Sequence, residues 1–336
     1  MNISASIYAN PKLTLEEVVT ELDRVGIDLF HVDCKDDERV FDDIAAIRKI
    51  SKTPIDLHLI TATPERYFQQ IAELKIEYVT FQYENLLSVP SLPKSDYTSF
   101  GLSLVSSTDV TVFQDFKEQF SYVMLMTTAP GESGGVFNRN TFQRVLSFKH
   151  KFRNHRIHVD GGVNDQIAFV LRLIGVNTVV TGSYLMGHES LGLGLLRMHR
   201  TQDVEVENSF VVADFATPLA QIPLLQEESL SVVQILQTME QYRMGFVAII
   251  DEQKTLKGIV SNADLRRGLL KHTDDFNTLS IQDLINPHPI TIAENTPLHG
   301  MIQLLNKLNF IVLFLPVVDN ENRIKGAVLL HHLTRV

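Results

Sequence analysis

Two imidazoles and two carboxylates stand at the ends of short apolar runs in this sequence: His31 and Asp33 in "LFHVD", His58 in "IDLHLI" and Asp160 in "IHVDGG". Residues two apart in an extended strand point the same way, so His31 and Asp33 share a face. Neutral imidazole nitrogen and carboxylate oxygen together suit a divalent transition metal. Any one of these side chains alone is more simply read as a strand-end residue with a structural hydrogen bond. All four meeting at one mouth would favour the metal. A second group is glycine-rich: Gly131, Gly134 and Gly135 in "PGESGG", Gly161 and Gly162 in "DGG", and Gly182 with Ser183 in "TGS". Such loops let backbone N–H groups approach an anion closely, or they simply turn the chain tightly. Three in succession favour a phosphate.

These residues need a frame that brings them together. Eight apolar, β-rich runs fill the first part of the chain: "ISASIYA", "LFHVD", "IDLHLI", "YVTFQY", "GLSLV", "YVMLMT", "IHVDGG" and "TVVTGSYL". Several are apolar almost throughout, as strands buried on both faces should be. Helical patterns lie between them. "TLEEVVTELDRVG" has Thr14 and Glu17 at capping-box spacing and Gly26 as a stop, and "TPERYFQQIAEL" starts with Thr63 as N-cap and Pro64 in the first turn. Strand and helix alternating eight times predict an α/β fold, a (β/α)8 TIM barrel over residues 1–200. Sites in such barrels form at the C-terminal strand ends. That puts Ser6 on strand one, His31 and Asp33 on strand two, His58 on strand three and Asp160 on strand seven.

Residues 201–212 are polar and read as a linker. Residues 213–336 then pass twice through one arrangement of helix, strand, turn, strand and helix, about 213–274 and 281–336. A repeat of this size predicts two like α+β modules packed together.

Composition narrows the function classes. Hydrophobic residues make up 44% and charged residues 21%, which suits a chain with a real core. The single cysteine, Cys34, excludes an intramolecular disulfide. A net charge of −10 argues against non-specific nucleic-acid binding but leaves anionic small ligands open. No apolar run approaches the ~20 residues of a membrane span, and the N-terminus lacks a signal-peptide pattern. A cytoplasmic protein with no nucleic-acid or membrane partner is the expectation.

These motifs together resemble the ribulose-phosphate 3-epimerase family. "SASIYA" is similar to its first-strand motif with Ser6 at the serine, "HVD" to its second, "DLHL" to its third, "LMTTAPGESGG" to its sixth strand and loop, "VDGGV" to its seventh and "TGSYLMG" to its eighth, in the family's order. The resemblance implies a divalent metal (zinc, iron, manganese or cobalt) held by His31, Asp33, His58 and Asp160. It also implies Asp33 and Asp160 as acid and base, and a pentulose 5-phosphate or related ketose phosphate as substrate. Two carboxylates can invert a carbon beside a carbonyl, one removing a proton and the other returning one. The sequence departs from the family in places. Cys34-Lys35-Asp36-Asp37 follows the "HVD" aspartate where the family has Met-Asp-Gly and a longer loop. Lys35 stands at an apolar methionine, Gln82 replaces a histidine in the fourth-strand motif, and the "PGESGG" glycines are shifted. Asp33, Lys35 and Glu38 also resemble, more distantly, the Asp-x-Lys-x-x-Asp motif of decarboxylase barrels, in which a lysine protonates a carbanion.

The last third resembles a tandem CBS (Bateman) module. "GFVAIIDEQKTLKGIVSNADLRRGLL" is particularly similar to the CBS pair of arabinose-5-phosphate isomerases. This implies an adenosine nucleotide or nucleotide sugar as ligand, with Ser261 and Asp264 at the Ser/Thr-x-x-Asp ribose motif. In the second repeat Leu329 and His332 occupy those positions, and Leu329 cannot hydrogen-bond a sugar diol. Arg266 and Arg267 either reach a nucleotide phosphate or decorate a solvated helix. Both families commonly dimerise, which implies a homo-oligomer. The reading that emerges is a metal-dependent sugar-phosphate epimerase or isomerase regulated through a CBS pair. Its rival is a non-catalytic sensor of a sugar phosphate and a nucleotide.

Overall fold

Eight parallel strands pair in chain order and close on themselves: β1 (Asn2–Ser6), β2 (Leu29–Cys34), β3 (Ile55–Leu59), β4 (Tyr78–Gln82), β5 (Ser99–Leu104), β6 (Tyr122–Met126), β7 (Arg156–Asp160) and β8 (Thr178–Thr181). This computed structural model describes residues 1–10, 12–132, 134–199, 210–275, 278–308 and 310–330. The chain divides into two compact units, Met1–Val204 and Glu205–Val336. Around the barrel run α1 (Leu15–Arg24), α2 (Arg39–Ile50), α3 (Phe68–Glu73), α4 (Asn140–Lys151), α5 (Asp165–Leu173), α6 (Ser183–Met186) and α7 (Leu191–His199). The α1 capping box forms: Glu17 N–H donates to Thr14 Oγ1 at 3.3 Å and Thr14 N–H donates to Glu17 Oε2 at 2.8 Å. Thr63 makes no such bond, and Pro64–Tyr67 is a 3₁₀ turn before α3.

The helix-for-every-strand expectation fails at two crossovers. Only 3₁₀ turns, Tyr83–Asn85 and Val110–Asp115, are found after β4 and β5 among the described residues. Pro90 and Pro93 interrupt the first segment, and Val110, Thr111 and Val112 are β-branched in the second. Proline blocks a helix interior and β-branching disfavours one.

Alternation along each strand sends every second side chain into the barrel. The interior is polar for much of its height. Thr80 Oγ1 and Tyr122 OH are 2.8 Å apart, and the Tyr122 ring stacks on His158 with centroids 4.1 Å apart. Met124, Met126 and Val180 form an apolar cluster inside it.

The second unit contains α8 (Val212–Phe215), β9 (Thr217–Pro218), β10 (Leu224–Gln226), α9 (Val232–Tyr242), β11 (Phe246–Ile250), β12 (Leu256–Ser261), α10 (Asn262–Lys271), β13 (Ile292–Ala293), α11 (Leu298–Asn306), β14 (Phe314–Val318) and β15 (Ile324–Leu329). They form two sheets, ordered β10-β11-β12 and β13-β14-β15-β9. The repeat is visible in register. Phe246 pairs with Ser261 as Phe314 pairs with Leu329, and both hairpins shift register one step before their ends, at Ile249/Ile250 and Val317/Val318. Phe246 and Phe314 stack on each other with centroids 4.1 Å apart. The first strand of the second repeat's hairpin is β14, which begins at Phe314. His332 and residues 201–209 of the linker lie outside the described residues. Among the described residues, no helix is long and apolar enough to cross a membrane.

Candidate active site

Strand register builds the centre of the mouth. β2 and β3 pair so that His31 stands beside Asp56 and Asp33 beside His58. The motifs His-x-Asp and Asp-x-His are mirror images, so on the inward face each imidazole meets a carboxylate. His31 Nδ1 donates to Asp56 Oδ2 at 3.0 Å, and that same oxygen accepts from Ser4 Oγ at 2.9 Å. An ionised carboxylate can only accept, which puts the proton on Nδ1 and turns Nε2 toward the mouth. His31 Nε2 is buried and has no hydrogen-bond partner among the described residues. It lies 3.4 Å from Asp33 Oδ1 and 3.9 Å from Asp160 Oδ2.

His58 is held in a related way. Its Nδ1 is 3.1 Å from Asp33 Oδ1, and its Nε2 is 2.9 Å from Gln82 Oε1. Ligand atoms of His31, Asp33 and His58 all lie within 4.8 Å of one another. Asp160, the fourth expected ligand, stands just outside this trio.

Atoms that accept hydrogen bonds thus converge on one point. The charges respond. Burial opposes the charged form of His31, but Asp33 and then Asp56 outweigh it and raise its pKa well above the ordinary value. Burial pushes Asp33 upward too, yet His31 and His58 hold it well below the usual carboxylate range. At Asp160 burial dominates, and with Asp33 nearby it raises the pKa to about 6 despite His31. A point that draws a proton this strongly, with an orphaned buried imidazole nitrogen beside it, fits a divalent metal ion of mixed nitrogen and oxygen coordination.

Most of the expected anion-binding residues border the same cleft. Ser6, Gly131, Gly134, Gly161, Gly162, Gly182 and Ser183 line it together with His31, Asp33 and Asp160. Gly135 does not line it: a Cβ there would run into the Thr128 side chain, so packing is what requires that glycine. Gly161 and Gly162 have φ of +112° and +61°, and a Cβ on Gly162 would strike the backbone of Phe137 and Gly135. The tight-turn reading therefore holds for this pair alongside the anion-binding one. Ser133 lies outside the described residues. Lys35 is exposed, with its stem over Gly131 and no ion pair to Asp33 among the described residues.

In the second unit, Ser261, Asp264 and Arg267 line a cavity of about 440 Å³ with apolar walls that include Ile259 and Phe310. Arg266 is exposed and does not line it; Arg267, one turn on from Asp264, does and pairs with Asp264. Ser261 and Asp264 also form a capping box at the start of α10. Asp264 Oδ2 accepts from Ser261 N–H at 2.8 Å and from Ser261 Oγ at 2.5 Å. Leu329, at the position matching Ser261, packs against the apolar core.

The barrel sequence matches the ribulose-phosphate 3 epimerase family over residues 2–186, more than half of the 336 residues. The chain belongs to the ribulose-phosphate 3-epimerase family. In addition, CBS domain matches cover residues 226–271 and 281–336, so this epimerase-family barrel is followed by a CBS pair. Ribulose-phosphate 3-epimerase of Bacillus subtilis (strain 168) is 25% identical over 201 residues, which cover 56% of this chain and 93% of that enzyme. The enzyme of Aquifex aeolicus (strain VF5) is 26% identical over 204 residues, covering 56% of this chain and 91% of its own. Among solved structures, the CBS-pair protein CBSX2 from Arabidopsis thaliana is 27% identical, with a TM-score of 0.32, over 38% of this chain and 92% of that one.

Sequence reasoning misses the roles of four residues of this epimerase-family site. Asp56 orients His31, and the Asp-x-His spacing that mirrors His-x-Asp was the signal for it. Gln82 and Glu84 follow each other on His58's far side, and Gln82 is fully buried. Glu132 lines the cleft within the shifted glycine loop, where only its neighbours drew notice.

Proposed function

We propose that the barrel epimerises or isomerises a pentulose 5-phosphate or related ketose phosphate, and that the CBS pair tunes it by binding an adenosine nucleotide or nucleotide sugar. The observation that supports this most is the approach of Asp33 and Asp160 to one atom, His31 Nε2, from strands on either side of β1 and β8. One carboxylate removes the proton on the carbon next to the carbonyl, and the other returns a proton to the opposite face of the ene-diolate. His31, Asp33, His58 and Asp160 would hold a divalent cation, which when bound would supply positive charge against the oxyanion that develops as the proton leaves. Backbone N–H groups around Gly161, Gly162, Gly182 and Ser183 hold the phosphate, so binding energy remote from the reacting carbon positions it. Residues 1–200 carry this chemistry and residues 213–336 the regulation.

The direct test incubates the metal-loaded full chain with ribulose 5-phosphate and other ketose phosphates and follows product sugars by NMR. New epimer or isomer, lost in Asp160→Asn, is the expected result. Absence of product with every ketose phosphate, in protein shown to hold metal, would overturn the catalytic reading in favour of the sensor. Regulation is tested by adding adenosine nucleotides and nucleotide sugars to the same assay. A rate change that Asp264→Ala removes supports it, and rates indifferent to all of them would separate the CBS pair from the barrel's chemistry.

A further inference from the structure

His58 has two ring nitrogens, and which one carries its proton decides which one can face a cation. The structure assigns that choice to Gln82, acting as a positioning residue through a polar relay that ends on Glu84; this rests on the metal-site part of the proposed function, not on the reaction. Gln82 is fully buried at the end of β4. Its amide nitrogen faces two acceptors, the Glu84 carboxylate and Ser103 O at 3.5 Å. Only an NH₂ group satisfies both, so the amide oxygen is the end that faces His58 Nε2 at 2.9 Å. An amide oxygen can only accept, which places a proton on Nε2 and leaves Nδ1 to face Asp33 and the point where His31 Nε2 converges.

The relay is anchored at its far end. Glu84 Oε1 accepts from Val105 N–H at 3.0 Å and from Thr108 Oγ1 at 2.5 Å. Arg144 donates to the carbonyls of the same two residues, at 2.7 Å to Val105 O and 3.0 Å to Thr108 O. Gln82 is therefore held by contacts that do not depend on His58, as an orienting group beyond the ligands must be. The relay also accounts for a departure from the family. A histidine at this position would accept from His58 with one ring nitrogen and donate to Glu84 with the other. Glutamine preserves that polarity with an oxygen and an NH₂.

The test uses the full chain loaded with zinc alone, labelled with ¹⁵N-histidine. NMR should show the His58 proton on Nε2 and the zinc-perturbed signal on Nδ1; the reverse assignment would overturn the inference even if no variant folds. Gln82→Met removes both halves of the relay and should weaken zinc binding by about 10- to 100-fold. Gln82→His keeps the relay and should recover most of that loss. Zinc affinity unchanged in Gln82→Met, or lost equally in both variants, would sink the assignment. None of these readouts involves turnover, so an inactive barrel would leave the inference standing, and a failed relay would leave the reaction untouched.

Discussion

The barrel mouth and the first CBS repeat each carry a short polar motif at the end of a strand, and they use it in opposite ways. At the mouth, His31 and Asp33 satisfy their neighbours and still have atoms left over, pointing at one another across a few ångströms. In the CBS repeat, Ser261 and Asp264 satisfy each other and the first turn of α10, and Arg267 takes the remaining carboxylate oxygen. The lesson is that a motif becomes a strong candidate site when its polar atoms exceed what local folding consumes. By that measure the barrel asks for a ligand outright, whereas the CBS motif serves as a helix cap as well as lining its cavity.

The largest effect should come from the carboxylates. Asp33→Asn or Asp160→Asn is expected to slow turnover by about 10²- to 10⁴-fold, the usual contribution of general acid–base catalysis. Nucleotide binding by the CBS pair should be unaffected when measured on the same protein. Turnover that survives either change would place the acid–base pair elsewhere.

A second difference is in what the two units bury. The CBS core is apolar, whereas the barrel interior contains titratable groups. Burial lowers His158 from 6.5 to about 4. The unfolded chain therefore takes up a proton near pH 6.5 that the folded barrel refuses until about pH 4. The resulting stability is complete above pH 6.5 and is lost as pH falls toward 4, by up to about 3 kcal/mol. His158→Phe keeps the stack on Tyr122 and removes the titration. Denaturant unfolding at pH 7.5 and pH 5 should show a smaller acid loss in the variant than in the parent. An identical acid loss would exclude His158 as the cause.

Ser261→Ala should lower the stability of the CBS pair by about 1 kcal/mol without any nucleotide present, as loss of a helix cap does. If unfolding is unchanged while nucleotide affinity collapses, Ser261 is a ligand contact first and the contrast drawn above is wrong. The smallest expected effect is at the rim. Lys35 is an exposed cation near the cleft, and exposed charge pairs contribute about 0.2–1 kcal/mol, so Lys35→Met should raise KM by at most about fivefold. The difference should shrink in high salt. A KM that does not move at all would make the lysine idle.

How much of this was legible in the sequence varies with how local the cause is. His31, Asp33, His58 and Asp160 could be read because strand alternation and the barrel's C-terminal mouth fix where such residues point. Their partners were harder. Asp56 becomes an orienting residue only once the β2–β3 register sets it beside His31. Gln82 reads only as a departure, because which way an amide turns depends on partners that the fold alone brings to it. In the CBS repeat the helix-cap role of the motif is the part that goes unread. Ser261 and Asp264 have the same spacing as Thr14 and Glu17, which were read as a capping box, and the i,i+3 rule on a helix pairs Asp264 with Arg267 rather than Arg266. Gly135 looked like its neighbours in "PGESGG", and only the Thr128 side chain distinguishes it.

Proton exchange tests the central claim most directly. The metal-loaded chain is placed in deuterated water with ribulose 5-phosphate, and the C3–H resonance is followed over time. The account predicts that this signal disappears at a rate that Asp33→Asn and Asp160→Asn each reduce sharply. A C3–H signal that persists, in protein shown to hold its metal and tested with related ketose phosphates at their own α-carbon protons, would contradict it.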